Sequence, residues 1–199
     1  ENISFNVGIL GCGIAGSASI LYWLRAGLGN KILVIDTKSK KEILNDPRRM
    51  SCWYTHDWEW RSVIYCDWDN LEIKIGDWDK VLPISKFVLG NLQVRNLLTS
   101  MWLEIDSYQP EITWVNAELD ENSIAKGNQC LLIKNSQYQV NYILDSSINC
   151  KSLSSSNLWM QGSSWMLELK YPSLNQNFAR WMDWIDSEIQ TSFIYLLPL

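Results

Sequence analysis

Histidine is almost missing from this 199-residue chain; His56 is the only one. One imidazole cannot build a His-based metal site or a Ser–His–Asp triad, so neither chemistry is expected here. No apolar run approaches the ~20 residues that span a bilayer, which leaves peripheral contact as the only membrane role. The five cysteines (Cys12, Cys52, Cys66, Cys130, Cys150) are odd in number and nowhere spaced CxxC. With no secretory signal, reduced thiols in a cytoplasmic protein are the simplest reading. Basic residues are outnumbered, 17 Lys and Arg against 22 Asp and Glu, for a net charge of −5. No basic stripe is left to neutralise phosphates, which excludes nucleic acid as a partner. The one basic run, Lys38, Lys40 and Lys41, reads as solvated loop.

Tryptophan is the opposite case, with twelve in the chain. Indole burial stabilises any fold, so most should be core or half-buried surface. The alternative is that Trp53, Trp58, Trp60 and Trp68 line an apolar site or a membrane-facing rim.

The glycines concentrate the information. An apolar strand, 5–10, runs into Gly11-Cys12-Gly13-Ile14-Ala15-Gly16. A helix-like segment closes near Gly27, and a second strand, 31–35, ends on Asp36. In such a βαβ unit the first glycine takes the tight turn. The second leaves room for a pyrophosphate at the helix N-terminus, and the third lets helix and sheet pack closely. An acid about 20 residues beyond the last glycine hydrogen-bonds an adenosine ribose and repels a 2′-phosphate. Asp36 stands at that spacing. The motif therefore points to a dinucleotide other than NADP, and does not separate FAD from NAD.

Beyond this unit regular αβ alternation stops. Residues 37–62 read as loop, followed by short strands at 62–66, 71–75 and 80–84. Next come a helix over 91–107, a strand over 112–115, and a hairpin-like pair at 129–134 and 138–144. A Ser/Asn-rich linker covers 146–157. Two further strands, 163–170 and 192–197, flank a segment rich in Trp, Met and Asp. The expected class is α/β: a Rossmann-type FAD-binding domain with an inserted β-rich substrate region, incomplete at its C-terminus. The expected division is 1–62 (βαβ and cofactor loop), 63–90 (β-rich region), 91–147 (return to the cofactor domain) and 148–199 (start of a substrate domain). The apolar run 193–199 has no closing loop, so we expect an N-terminal portion of something longer.

Four stretches carry a resemblance to a known family. The first is the glycine motif with Leu28 to Asp36 behind it. The second is Asn45-Asp46 followed by Arg49-Met50-Ser51-Cys52-Trp53-Tyr54, similar to N-D-R-T-W-C-F-W. The third is Tyr142-Ile143-Leu144-Asp145-Ser146-Ser147, similar to a strand ending in F-D-S-R. The fourth joins Leu158-Trp159-Met160-Gln161-Gly162 and Trp165 with Phe193 to Pro198, similar to L-Q-x-F-x-G-W and F-V-Y-V-L-P. Together they resemble the lycopene cyclase family, nearest its bacterial branch. The sequence departs from that pattern where Pro47 and Arg48 are inserted, where Ser51 replaces an aromatic, and where Ser147 replaces an arginine.

The resemblance implies reduced FAD, with NAD(P)H as an external reductant, and an apolar carotenoid substrate cyclised without net redox change. A carboxylic acid would protonate a terminal double bond. The family's acid segment lies beyond residue 199, so no catalytic residue is assigned and the 199-residue piece alone is expected to be inactive. Gly11, Gly13, Ala15 and Gly16 would contact the pyrophosphate and Asp36 the ribose. Arg49 is either near the flavin or its phosphates, or in a surface salt bridge. Arg95 either reaches the pyrophosphate or is solvated on its helix. Leu119 would offer its backbone to adenine. Asp145 either positions the flavin or caps a turn, and Asp57 and Glu59 read as exposed loop carboxylates. Two other readings stand beside the cyclase: a flavin-dependent hydroxylase or halogenase, and a truncated, non-catalytic relative.

Overall fold

The computed structural model describes residues 4–118, 130–133, 136–147, 167–168, 178–185 and 192–198. In chain order the first half comprises β1 (Ser4–Leu10), α1 (Ile14–Arg25), β2 (Lys31–Asp36), α2 (Lys40–Leu44), β3 (Arg49–Tyr54), β4 (Ile64–Trp68), β5 (Asn70–Ile75) and β6 (Trp78–Pro83). The remainder comprises β7 (Val88–Gln93), α3 (Val94–Ser107), β8 (Glu111–Asn116), β9 (Cys130–Ile133), β10 (Ser136–Asp145), β11 (Ala179–Ile185) and β12 (Ser192–Leu196). They divide into two units, residues 1–48 with 93–153 and residues 49–92 with 154–199.

The first unit is built on a five-stranded sheet in the order β8-β2-β1-β10-β9. The strands β8, β2, β1 and β10 run parallel, and only β9 is antiparallel. The central strands β1 and β2 read as near-continuous apolar runs and are largely buried. Phe5, Leu10, Leu33, Ile35, Leu131, Ile133 and Val140 pack in one buried cluster. Val7, Ile9, Ile32 and Val34 are fully buried as well. The helices α1 and α3 pack on each other. In α3 the buried positions Val94, Leu97, Leu98, Met101, Trp102 and Ile105 recur at helical spacing. In α1 the buried face is Gly16, Ser17, Ile20, Leu21, Trp23 and Leu24, while Ile14 and Ala18 are only half-buried. Gly27 ends α1 at φ 66°, donating to the Leu24 carbonyl while Leu28 reaches Trp23, the hydrogen bonds of a Schellman cap.

The second unit holds a three-stranded sheet, β3-β7-β4, and a four-stranded one, β12-β11-β5-β6. Trp68, Leu71, Leu89 and Ala179 form its buried cluster. The carboxylate of Glu72, itself buried, is paired with Arg180.

The expected class, a parallel α/β sheet with an added β-rich region, is the architecture observed. Several boundaries differ. Residues 37–62 contain α2 and β3, not continuous loop. Ser39 caps α2 in a reciprocal box with Glu42, and five residues are too few for the periodicity of a helix to show in sequence. The passage from first to second unit falls after Arg48, earlier than the expected 62. The helix expected from 91 begins at Val94, because β7 runs directly into it and its apolar residues merge with the helical pattern. Residues 179–185 are strand β11, held between β5 and β12, where sequence showed only a Trp-rich segment. Most of the strand expected at 163–170 lies outside the described residues, as do the family-like residues 158–162 and Trp165.

Candidate functional site

In the first unit, β2 and β8 lie to one side of β1 and β10 to the other. β1 leads to β2 on one side, while β10 pairs with its predecessor β9 on the other, so the strand order reverses at the β1–β10 pair, the kind of switch point where open α/β sheets bind ligands at their strand C-termini. The glycine motif sits there, directly after β1.

Each glycine has a different geometric reason. Gly11 adopts φ 77°, a conformation that side chains disfavour, and donates its N–H to the Ile35 carbonyl at 2.9 Å. A Cβ at Gly16 would lie 2.0 Å from the Gly11 carbonyl oxygen. Gly13 caps α1 with no side-chain hydrogen bond, and a Cβ built there meets nothing within 4 Å. The first-turn N–H groups of a helix have no intrahelical partners, so α1 presents its donors and positive dipole end to open space at Gly13. Ala15 is exposed in that first turn.

Asp36 closes one side of the cradle. Its Oδ2 accepts from the Cys12 N–H at 2.6 Å, and its Oδ1 from the Lys38 N–H at 2.7 Å. Both bonds come from backbone, so the carboxylate is oriented while lone pairs remain on each oxygen. On the other side Ser146, just past β10, donates through Oγ to the carbonyls of Leu10 (3.1 Å) and Gly11 (2.5 Å). Its N–H also bonds Leu10 at 2.8 Å. Ser146 thus locks the glycine turn to the sheet. Sequence reading missed this role, although a serine directly after the strand-ending Asp145 is a visible signal. A buried chain lies behind the motif: Trp102 donates to Ser17 Oγ at 3.0 Å, and Ser17 to the Cys12 carbonyl at 3.1 Å. Burial pushes the Cys12 thiol up to about 12, which makes it an inert packing group at neutral pH.

The remaining candidates make other contacts among the described residues. Asp145 is exposed at the C-terminal end of β10 and accepts from the Ser147 N–H (2.9 Å) and hydroxyl (2.6 Å), a turn cap. Arg95 is exposed at the start of α3 and donates to Gln93 at 2.8 Å. Arg49 belongs to the second unit, where its guanidinium stacks 4.5 Å from the Tyr65 ring centroid. Leu119 lies outside the described residues. Asp57 and Glu59 are exposed. Of the four tryptophans singled out, Trp68 is core at 2% exposure, Trp53 is exposed, and Trp58 and Trp60 are half-buried. A groove of about 500 Å³ opens beside β8, lined by Lys40, Trp102, Asp106, Trp114 and Asn116 among others. None of the motif glycines, Asp36 or Asp145 lines it.

No family model matches the chain, and no curated protein matches it in sequence. Solved structures do match in fold. The halogenase PltM aligns with TM-score 0.54 and 13% identity over 75% of this chain and 37% of that one. The tetrameric 2-methyl-3-hydroxypyridine-5-carboxylic acid oxygenase aligns with TM-score 0.53 and 10% identity, covering 70% and 38%. CtdE in complex with FAD and a substrate aligns with TM-score 0.51 and 13% identity, covering 71% and 37%. The chain therefore shares the fold of these proteins and spans less than two fifths of their length.

Proposed function

We propose that the first unit is the nucleotide-binding part of an FAD-dependent enzyme. The observation that carries this is the open, uncapped N-terminus of α1 at Gly13, beside an oriented Asp36 carboxylate. Backbone donors at Gly13, Ile14, Ala15 and Gly16 would hold the pyrophosphate, Gly11 would shape the turn, and Asp36 would accept from the ribose hydroxyls. A 2′-phosphate would meet the same carboxylate with like charge, which disfavours NADP. Asp145, Arg95 and Leu119, the last outside the described residues, stay in the proposal as further cofactor contacts. When bound, the flavin supplies a reversible two-electron carrier; the chain contributes binding and orientation.

For the activity of the whole protein we favour the hydroxylase or halogenase class, since the fold is shared with an oxygenase and a halogenase. The lycopene cyclase reading is retained as the second, on the four sequence stretches that resemble that family. The site is tested in the full-length protein with Gly13→Val, whose branched side chain would fill the open space at α1. Flavin retention after gel filtration should fall from near-stoichiometric to background. A variant that kept its yellow flavin would refute the site. Turnover of lycopene against a phenolic aromatic, under reducing and aerobic conditions, then separates the two activities.

A further inference from the structure

The second unit carries two buried polar atoms without partners among the described residues, one of them on Arg49, which the family resemblance would set near the flavin. Asn91, in the middle strand β7, is 4% exposed, yet its Oδ1 has no hydrogen-bond partner among the described residues. The Nη1 of Arg49 is also buried and has no hydrogen-bond partner among the described residues. A buried donor or acceptor left unpaired is costly, and native folds keep few of them.

Three observations place the two groups together. Asn91 donates through Nδ2 to Ser51 Oγ at 3.3 Å, and Ser51 lies two residues from Arg49 on β3, hence on the same face. Arg49 reaches past β7 to stack on Tyr65 of β4, at the register shift between the pairs Ile64–Leu92 and Cys66–Asn91. Cys66, paired with Asn91, feels the Arg49 charge, which opposes the rise that burial gives its thiol. Tyr65 is 59% exposed, and Trp53, on the Arg49–Ser51 face of β3, is 44% exposed.

We propose that Arg49 and Asn91 form a recognition pair for the hydroxyl of an aromatic alcohol. The ligand oxygen accepts from Arg49 Nη1 and its O–H donates to Asn91 Oδ1, with Tyr65 and Trp53 flanking the ring. A hydroxyl is the smallest group that answers one orphan donor and one orphan acceptor at once. A carboxylate would leave Oδ1 facing a lone pair, and a hydrocarbon would leave both groups unpaired. The pair lies wholly in the second unit, so the inference needs no flavin in the first, and the two can fail independently.

The test is a titration of the full-length protein, without added flavin, with phenol, anisole and toluene, followed by calorimetry. Phenol should bind saturably, with anisole and toluene weaker by about tenfold or more because neither can donate to Asn91. Asn91→Leu and Arg49→Met should each abolish the preference for phenol. Asn91→Leu should also raise the melting temperature of the ligand-free protein, since it removes an unpaired group. Equal binding of the three probes, or no saturable phenol binding, overturns the proposal without reference to whether either variant folds. A crystal structure in which one ordered water bridges Arg49 and Asn91, and phenol does not displace it, would do the same.

Discussion

Asp46 is held by the residue that interrupts the family-like motif. Arg48 donates to it from its backbone at 2.9 Å and from its side chain at 2.5 to 3.0 Å, and the carboxylate is largely buried. The inserted Pro47-Arg48 therefore closes a local turn on Asp46. The hydrogen bonds from Arg48 hold the Asp46 carboxyl below the ordinary carboxylate range. A group whose folded pKa is lowered stabilises the fold above its unfolded pKa and loses that contribution as pH falls through the folded value. Asp46→Asn should therefore cost about 1–2 kcal/mol at pH 7. In urea melts the gap to the native protein should narrow as pH falls below the unfolded carboxylate value and close once the folded carboxyl is protonated as well. A gap that persisted at low pH would mean that the loss comes from packing, not charge.

At the scale of elements, α1 meets the sheet through two glycines with opposite sensitivities. The added Cβ of Gly16→Ala would press on the Gly11 carbonyl, so helix and turn would have to separate. We expect a loss of about 2–3 kcal/mol, read by urea unfolding. Gly13→Ala meets open space at a φ of −65°, which alanine accepts, so stability should change by less than about 0.5 kcal/mol. If the two variants were equally destabilised, packing at the turn would not be what Gly16 serves. The same element shows how legible the sequence was. The order strand, glycine motif, helix, strand and acid was readable because each piece is local and strongly periodic. The elements α2, β3 and β11 were not. One is a single capped turn, and the others take their conformation from neighbouring strands rather than from their own pattern.

For the whole molecule, ligand binding and folding are linked. FAD that binds only the folded state should raise the melting temperature of the full-length protein in a concentration-dependent way. The gain would be about 2.7 kcal/mol at 100 times Kd. NADP at equal concentration should give a smaller shift, because its 2′-phosphate faces Asp36, whose carboxylate is already oriented by Cys12 and Lys38. Equal shifts would remove Asp36 from the ribose assignment.

The dinucleotide motif and the parallel α/β class were legible along the chain. These depend on glycine geometry, apolar runs and spacing along the chain, which are local properties. Which groups converge was settled by tertiary packing. Ser146 meets the Leu10 and Gly11 carbonyls across 136 and 135 residues, and Trp102 meets Ser17 across 85. Likewise Asn91 meets Ser51 across 40 residues. Side-chain partners so far apart are chosen by strand order and register, and no window of sequence contains them.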